Sequence, residues 1–92
     1  MTRWELSDQP RLRSPARMKY DKARSTELLL LPERVVELNA TAGAILRLCD
    51  GERTISQMIE QLEATYGESN LEADVRDFLH QAADRGWVER WK

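Results

Sequence analysis

The sequence predicts an α+β domain in which a three-stranded antiparallel sheet is followed by three helices, in an arrangement similar to a winged helix-turn-helix. Three observations support this fold class. A run of four leucines, Leu28–Leu31, is followed by a proline and then by an alternating segment. Two later segments carry apolar residues at helical spacing. Glycines follow the three predicted helices, as helix ends favour, at Gly51, Gly67 and Gly86.

The composition fits one small domain with a single core. The chain has 92 residues, of which 41% are hydrophobic and 33% charged, as in folded proteins of this size. No apolar run reaches the length of a bilayer span, and residues 1–10 lack the apolar segment of a signal peptide. One cysteine allows no internal disulfide, which agrees with a reducing compartment. We therefore expect a cytoplasmic protein without a membrane partner.

Residues 1–14 are predicted to be a mobile N-terminal arm, and residues 15–92 a single domain. The first segment mixes charged residues, Ser and Pro with few large apolar side chains, a composition typical of mobile termini. Trp4 is either an exposed anchor for another molecule or a residue that folds back on the sheet. We favour the second alternative.

The first two strands are predicted at residues 17–22 and 28–31. In the first, Met18 and Tyr20 share one face. The leucine run is apolar on both faces, which is typical of a strand that is covered on both faces. It is therefore placed at the centre of the sheet.

A tight turn leads into the third strand. Pro32 has the backbone geometry that begins a reverse turn, so residues 31–34 are expected to return the chain antiparallel. Residues 34–38 then alternate, with Val36 and Leu38 on one face. In the strand order 1-2-3, this third strand and the first strand are the edges of the sheet.

Three helices are expected after the sheet. Asn39 or Thr41 can cap the first helix, which is expected to end at Gly51. The second begins at the capping box Thr54–Gln57, and the third runs from a similar box, Ser69–Glu72, to about residue 85. Their apolar faces carry, in order, Ile45, Leu46, Leu48 and Cys49; Ile55, Met58, Ile59, Leu62 and Tyr66; and Leu71, Val75, Phe78, Leu79 and Ala82. Trp87 and Val88 are expected to form a short tail, extended or wing-like.

Catalytic, metal and cofactor sites are not predicted. His80 has no evident nucleophile near it in an arrangement suited to catalysis, and Cys49 is interpreted as a small buried hydrophobe. One Cys and one His cannot make a four-ligand zinc site. Acids near the start of the third helix are explained by the helix dipole without invoking a bound cation. The sequence therefore indicates a binding module rather than an enzyme.

The charge distribution separates two kinds of partner. Residues 1–34 hold eight basic and five acidic residues, a balance of +3, whereas residues 50–77 hold eight acidic and two basic residues, a balance of −6. DNA affinity depends on Lys and Arg neutralising phosphates. A small DNA-binding winged-helix regulator is therefore the weaker alternative. A peptide fits better, since an edge strand can accept an added strand.

Several motifs together resemble the PqqD family of pyrroloquinoline quinone biosynthesis, over about residues 10–88. The matching pieces are Leu28-Leu29-Leu30-Leu31-Pro32-Glu33, Leu38-Asn39 with Thr41-Ala42, Ile45-Leu46 with Leu48-Cys49-Asp50-Gly51, Asp74-Val75 with Phe78-Leu79, and Arg85-Gly86. Trp87 departs from the expected aliphatic residue, and the segment before residue 10 matches little. The resemblance implies a winged-helix-like domain that binds a peptide rather than DNA.

The resemblance also implies partners. A PqqD-like protein is expected to hold the precursor peptide PqqA as an added strand between the third strand and the third helix. It would present the peptide to PqqE, a radical S-adenosylmethionine enzyme that supplies the chemistry and the iron–sulfur clusters. The expected peptide contacts are Arg34, Val35, Val36, Glu37, Leu38, Val75, Phe78 and Leu79. The enzyme would need a second surface, for which we favour the tail with Trp87 and Trp91, because tryptophan is enriched at the energetic centres of interfaces. The alternative surface is the basic first hairpin, with Arg17, Lys19, Lys22 and Arg24, and self-association is left open.

Overall fold

The computed structural model describes residues 3–91. Along these residues, short strands flank a block of three helices. The elements are β1 (Pro10–Leu12), β2 (Arg17–Asp21), β3 (Thr26–Leu30), β4 (Val35–Leu38), α1 (Ala40–Arg47), α2 (Ile55–Tyr66), α3 (Glu72–Asp84) and β5 (Val88–Arg90). Strands β2, β3 and β4 form an antiparallel sheet in that order, so the predicted α+β class with three helices after a three-stranded sheet, the central leucine strand and the two edge strands are confirmed.

The leucine strand is covered on one face rather than on both. Leu29 lies opposite Met18 and Val36 in the ladder and is completely buried. Leu28 and Leu30 point to the opposite face and are only half-buried. Helix α1 packs against β3 so closely that a Cβ at Gly43 would lie 2.7 Å from the Glu27 Cγ. Within residues 3–91 the helices pack on one face of this sheet, so the expected cover of the second face is not supplied by these helices.

Helix α1 begins as predicted and ends earlier. The Ala42 N–H donates a hydrogen bond of 2.7 Å to the Asn39 side chain, so Asn39 is the N-cap. The last helical residue is Arg47 rather than a residue next to Gly51. The segment that follows is irregular yet still packs in the core, which is why its apolar residues continued the helical pattern. Gly51, with φ of +80°, instead donates its N–H to the Pro10 carbonyl at 2.9 Å.

The caps of α2 are confirmed, whereas the cap predicted for α3 is wrong. Thr54 and Gln57 form the reciprocal capping box, and Gly67 ends α2 in the left-handed conformation. Helix α3 has Leu71 as its N-cap and no side-chain cap. The Leu71 N–H donates instead to the Glu63 carboxylate on α2, at 3.1 Å. A partner eight residues away replaces the local box that the sequence indicated.

The end of α3 leads directly into β5. Gly86 takes φ of +77°, and the Trp87 N–H donates to the Ala82 carbonyl at 2.9 Å, as in the common glycine-ended helix terminus. The predicted extended tail is confirmed as β5. Within residues 3–91, no helix has both the length and the apolar character required to cross a bilayer.

The predicted N-terminal arm is wrong for residues 3–14, which are built into the fold. Strand β1 pairs with β5 in a second, two-stranded antiparallel sheet. Trp4 is buried in the core at 4% exposure, so the alternative in which it folds back is confirmed. Arg76 donates to the Trp4 carbonyl at 2.6 Å, and the Arg90 guanidinium lies 5.0 Å from the centre of the Trp4 ring. These partners lie more than 70 residues away, so the local sequence gave no sign of them.

Candidate functional site

The edge of β4 presents unpaired backbone groups. The Leu31 N–H donates to the Arg34 carbonyl at 2.9 Å where the β3–β4 hairpin closes. Hydrogen bonding alternates along an antiparallel ladder, so in the observed register Val36 and Leu38 bond to β3. The N–H and C=O groups of Val35 and Glu37 therefore point away from the sheet. These groups can form hydrogen bonds with the backbone of an added strand.

A groove of about 310 Å³ lies between β4 and α3. It is lined by side chains of β4, of α1, of α3 and of the residues that follow α3. They are Val36, Glu37, Leu38, Asn39, Thr41, Ala42, Ile45, Asp74, Phe78, Gln81, Arg85 and Trp87. The free edge of β4 thus has a wall beside it rather than open solvent.

The floor of this groove is apolar and its far wall is one stripe of a helix. Leu38 and Trp87 are buried, whereas Val36 and Phe78 are half-buried and keep accessible surface. The α3 lining residues recur every three to four positions, so they share one helix face with Phe78 near its middle. Apolar side chains of a bound chain could therefore be covered from both sides.

The rim of the groove is charged, and its sign changes along α3. Asp74 lies at the end near α1, and Arg85 lies at the end near Trp87, with its guanidinium 5.2 Å from the centre of that ring. Glu37 on the strand side is ion-paired with Arg24. Such a rim can orient a peptide whose two ends differ in charge.

The exposed surface of α3 is acidic, which is unfavourable for binding a nucleic acid. Its exposed acids are Glu72, Asp74, Asp77 and Asp84. Arg76 is ion-paired with Glu72 at 2.9 Å. A helix of this charge would be repelled by phosphates. The absence of a nucleic-acid partner nevertheless stays a prediction.

The predicted peptide contacts divide into groove and core. Val36, Glu37, Leu38 and Phe78 line the groove. The side chains of Arg34 and Val35 are exposed beside the turn, and the backbone groups of Val35 lie at the free edge of β4.

Two predicted contacts on α3, Val75 and Leu79, do not line the groove. Leu79 is completely buried, and Val75 is 2% exposed and lies beside a neighbouring pocket. Helical periodicity identified the inward face of α3 but could not separate its centre from its margin. Gln81 and Arg85 were missed, although their spacing from Phe78 is the signal that could have found them.

The two tryptophans predicted as enzyme contacts differ in exposure. Trp87 is 4% exposed and forms part of the groove, so it offers no free surface to a second protein. Trp91 is 39% exposed, and the Arg11 guanidinium lies 3.4 Å from the centre of its ring. Of the two, only Trp91 stays a predicted enzyme contact.

The reactive side chains lie outside the groove. Burial, with a smaller contribution from the charge of Asp50, raises the pKa of the Cys49 thiol to about 12, so the thiol stays protonated. His80 lies in a polar patch with Arg3 and Asn70. Residues 3–91 contain no group of three His, Cys, Asp or Glu side chains placed to hold a metal ion. Neither Cys49 nor His80 lines the groove, so its lining provides contacts for binding.

The fold and the groove define a class of small α+β domains in which a helix stands beside the free edge of a sheet. This geometry suits the addition of an extended peptide as a further strand. Residues 27–88 match the family described as "Coenzyme PQQ synthesis protein D (PqqD)". The match covers more than half of the chain, which therefore belongs to the PqqD family.

Relatives and a solved structure agree with this assignment. A "PqqA binding protein" of Azotobacter vinelandii is 39% identical over 90 residues, covering 97% of this chain and 98% of the relative. One of Methylococcus capsulatus is 42% identical over 72 residues, covering 78% and 77%. The NMR structure of the PqqD part of Methylobacterium extorquens PqqCD, described as a stand-alone RiPP recognition element, has a TM-score of 0.80, 37% identity and 95% coverage of both chains.

Proposed function

We propose that this protein binds the precursor peptide PqqA in pyrroloquinoline quinone biosynthesis, and that the peptide adds as a fourth strand to the edge of β4. The names of its relatives support the choice of peptide. The observation that carries the binding mode is the free edge of β4 beside the groove of α3. An extended peptide needs both features at one place.

Backbone pairing and side-chain contacts would have separate tasks. The outward N–H and C=O groups of Val35 and Glu37 fix the register of the added strand, whatever its sequence. Alternate peptide side chains then point into the groove, because side chains alternate along a strand. There they meet Val36 and Phe78. Peptide specificity comes from these contacts and from the charged rim.

The protein acts as a peptide chaperone without catalytic activity of its own. It holds the peptide for the radical enzyme PqqE, which carries the cofactors, and both act in the cytoplasm. We also propose that the fold is a winged helix-turn-helix in which α3 contacts a peptide instead of DNA. The groove is occupied by peptide, so the enzyme binds elsewhere, and Trp91 is the candidate contact.

Removal of one outward N–H tests the binding mode. Val35→Pro deletes a donor at the free edge, and the native side chain is 58% exposed, so the core keeps its packing. Val35→Thr is the matched control, since it keeps the N–H and a branched side chain. Titration of fluorescent PqqA should show strong loss of affinity for the proline variant only. Equal affinity of a folded Val35→Pro variant and wild type would refute strand addition, and no binding by wild type would refute the function.

A three-component titration tests presentation to the enzyme. Labelled PqqA is titrated into the protein with and without PqqE, and then with Trp91→Ala. We expect Trp91→Ala to weaken the ternary complex and leave peptide affinity unchanged, because the exposed ring lies outside the groove lining. An unaltered ternary complex would remove Trp91 from the enzyme interface.

A further inference from the structure

A second, smaller pocket lies where α1, α2 and the start of α3 meet. We call it the junction pocket; its volume is about 180 Å³. It is lined by Thr41, Ile45, Leu62, Tyr66, Glu68, Leu71, Asp74 and Val75. Nothing in the strand-addition geometry above uses Leu62, Tyr66, Glu68 or Leu71.

The junction pocket is continuous with the groove beside β4. Thr41, Ile45 and Asp74 line both. Thr41 and Ile45 lie beyond the C-terminal end of β4, because α1 follows that strand after a single residue, and Asp74 on α3 lines the same two pockets. A chain paired with β4 and extended past Leu38 therefore reaches the junction pocket without leaving the surface. On an antiparallel strand, the residues that arrive there precede the paired segment.

The chemistry of the junction pocket is apolar below and acidic above. Ile45, Leu62 and Val75 form a floor of core residues, each at most 5% exposed. Leu71 is half-buried, and its N–H is held by the Glu63 carboxylate on α2, which fixes the wall. Glu68 and Asp74 are exposed carboxylates at the opening.

Tyr66 is the exposed aromatic residue in the lining of this pocket. Its side chain is 47% exposed at the end of α2. Aromatic side chains in such positions provide large contact area with little loss of conformational entropy on binding. A ligand side chain entering the pocket would pack beside this ring.

We propose that the junction pocket is a second subsite of the peptide site, which takes a large apolar side chain with a lysine or arginine next to it in the peptide. The inference rests on the proposed function. The apolar floor selects the inserted side chain, and Glu68 and Asp74 attract the neighbouring cation. Pairing with β4 gives affinity for many extended chains, and this subsite adds to the sequence preference that the groove contacts provide.

The first test removes the aromatic rim. Tyr66→Ala should weaken binding of a synthetic PqqA peptide roughly tenfold, the loss expected when one large apolar contact is removed. Tyr20→Ala is the matched control, because Tyr20 is similarly exposed and shares with Tyr66 a separate cleft beside α1 but does not line the junction pocket. Alanine replacements along the peptide should include one that weakens binding to wild type and not to Tyr66→Ala.

The second test reverses the charge of the rim. Glu68→Lys should weaken peptide binding at low salt, and the difference from wild type should shrink as salt is raised. Glu60→Lys makes the same charge change at an exposed site on α2 outside the pocket. Equal effects of the two substitutions would indicate general attraction and would contradict the subsite.

The outcomes separate the subsite from strand addition. If wild type binds the peptide, Val35→Pro abolishes binding and Tyr66→Ala does not weaken it, strand addition stands and the subsite is wrong. If Val35→Pro binds as wild type does, strand addition fails. A coupling between Tyr66 and one apolar peptide residue supports the subsite, and the lack of any such coupling overturns it.

Discussion

The two edges of the three-stranded sheet have the same backbone geometry and different surroundings. In the observed register, β4 leaves the N–H groups of Val35 and Glu37 unpaired, and β2 leaves those of Met18 and Tyr20 unpaired. The β4 edge lies beside α3, with Phe78 across the groove. The remaining residues of β2 are charged, and they are Arg17, Lys19 and Asp21.

From this difference we expect that a free strand edge alone does not make a peptide site. Charged side chains on an edge strand, such as Lys19, discourage pairing with other chains. The β4 edge has the same backbone donors but adds an apolar floor and a helical wall. Binding is therefore expected at one edge, and the other edge serves as an internal control.

The strongest comparison uses one proline at each edge. Val35→Pro and Tyr20→Pro each delete an outward N–H at a site about half exposed. A lost hydrogen bond that leaves a peptide carbonyl unpaired removes about 2 to 3 kcal/mol, or roughly a thirtyfold to hundredfold loss of affinity. We expect this loss for Val35→Pro and less than a twofold change for Tyr20→Pro, measured by fluorescence anisotropy. A larger loss for Tyr20→Pro would place the peptide on β2.

The wall of the groove gives the next largest effect. Phe78→Ala should weaken PqqA binding roughly tenfold to thirtyfold, because Phe78 is half-buried and lines the groove. His80→Ala on the same helix is the control, since His80 lies in the polar patch outside the groove. Calorimetric titration of both variants checks this prediction. Similar losses of affinity for the two variants would mean that substitutions in α3 weaken binding only by destabilising the fold.

An alkaline titration tests the contribution of the buried Cys49 thiol to the stability of the fold. The pKa of Cys49 is raised from 9.0 to about 12 in the folded protein. Between these values the unfolded chain releases the proton that the folded chain keeps, so stability falls as pH rises above 9. At pH 10 the loss is about 1.4 kcal/mol. Urea unfolding at pH 8 and pH 10 measures it.

The control for the alkaline titration removes the thiol. Cys49→Ala lowers stability at both pH values but should remove the part of the pH dependence due to this group. If the two proteins lose stability in parallel between pH 8 and pH 10, the thiol is not the group responsible. Cys49 belongs to the core, so this effect does not distinguish the edges.

The smallest expected effect concerns a link across the outer face of the sheet. Arg24, in the turn after β2, forms an ion pair with Glu37 on β4. Both side chains are well over half exposed, at 64% and 59%, so the pair contributes less than about 1 kcal/mol. Arg24→Ala should change PqqA affinity less than twofold. A tenfold change would mean that the two edges are energetically coupled.

Local signals predicted much of the fold. The turn after the leucine run, the cap at Asn39 and the box at Thr54 depend on residues within a few positions of each other, and the structure confirms them. Strand β1 was missed because it has three residues, begins with proline and pairs with β5 almost 80 residues later. The cap of α3 was wrong for the same reason, since Glu63 lies on another helix.

The candidate site was predicted at the level of elements and less well at the level of side chains. Alternation placed Val36 and Leu38 correctly beside the groove. Periodicity could not show that Leu79 lies at the centre of the buried face and Phe78 at its margin, because that depends on the distance between α3 and β4. Trp87 was predicted to be an accessible enzyme contact, but it is buried. Its burial depends on how the chain packs after the turn at Gly86, which the local sequence does not show.

The pairing of β1 with β5 brings the two ends of the described chain together. Arg90 donates to the Arg3 carbonyl at 2.6 Å, and the Trp91 N–H donates to the Gln9 carbonyl at 2.9 Å. A domain whose ends meet can be inserted into a loop of a host protein without stretching either partner. Because of the same closure, we expect this domain to keep its fold and its groove when it is placed inside an unrelated scaffold.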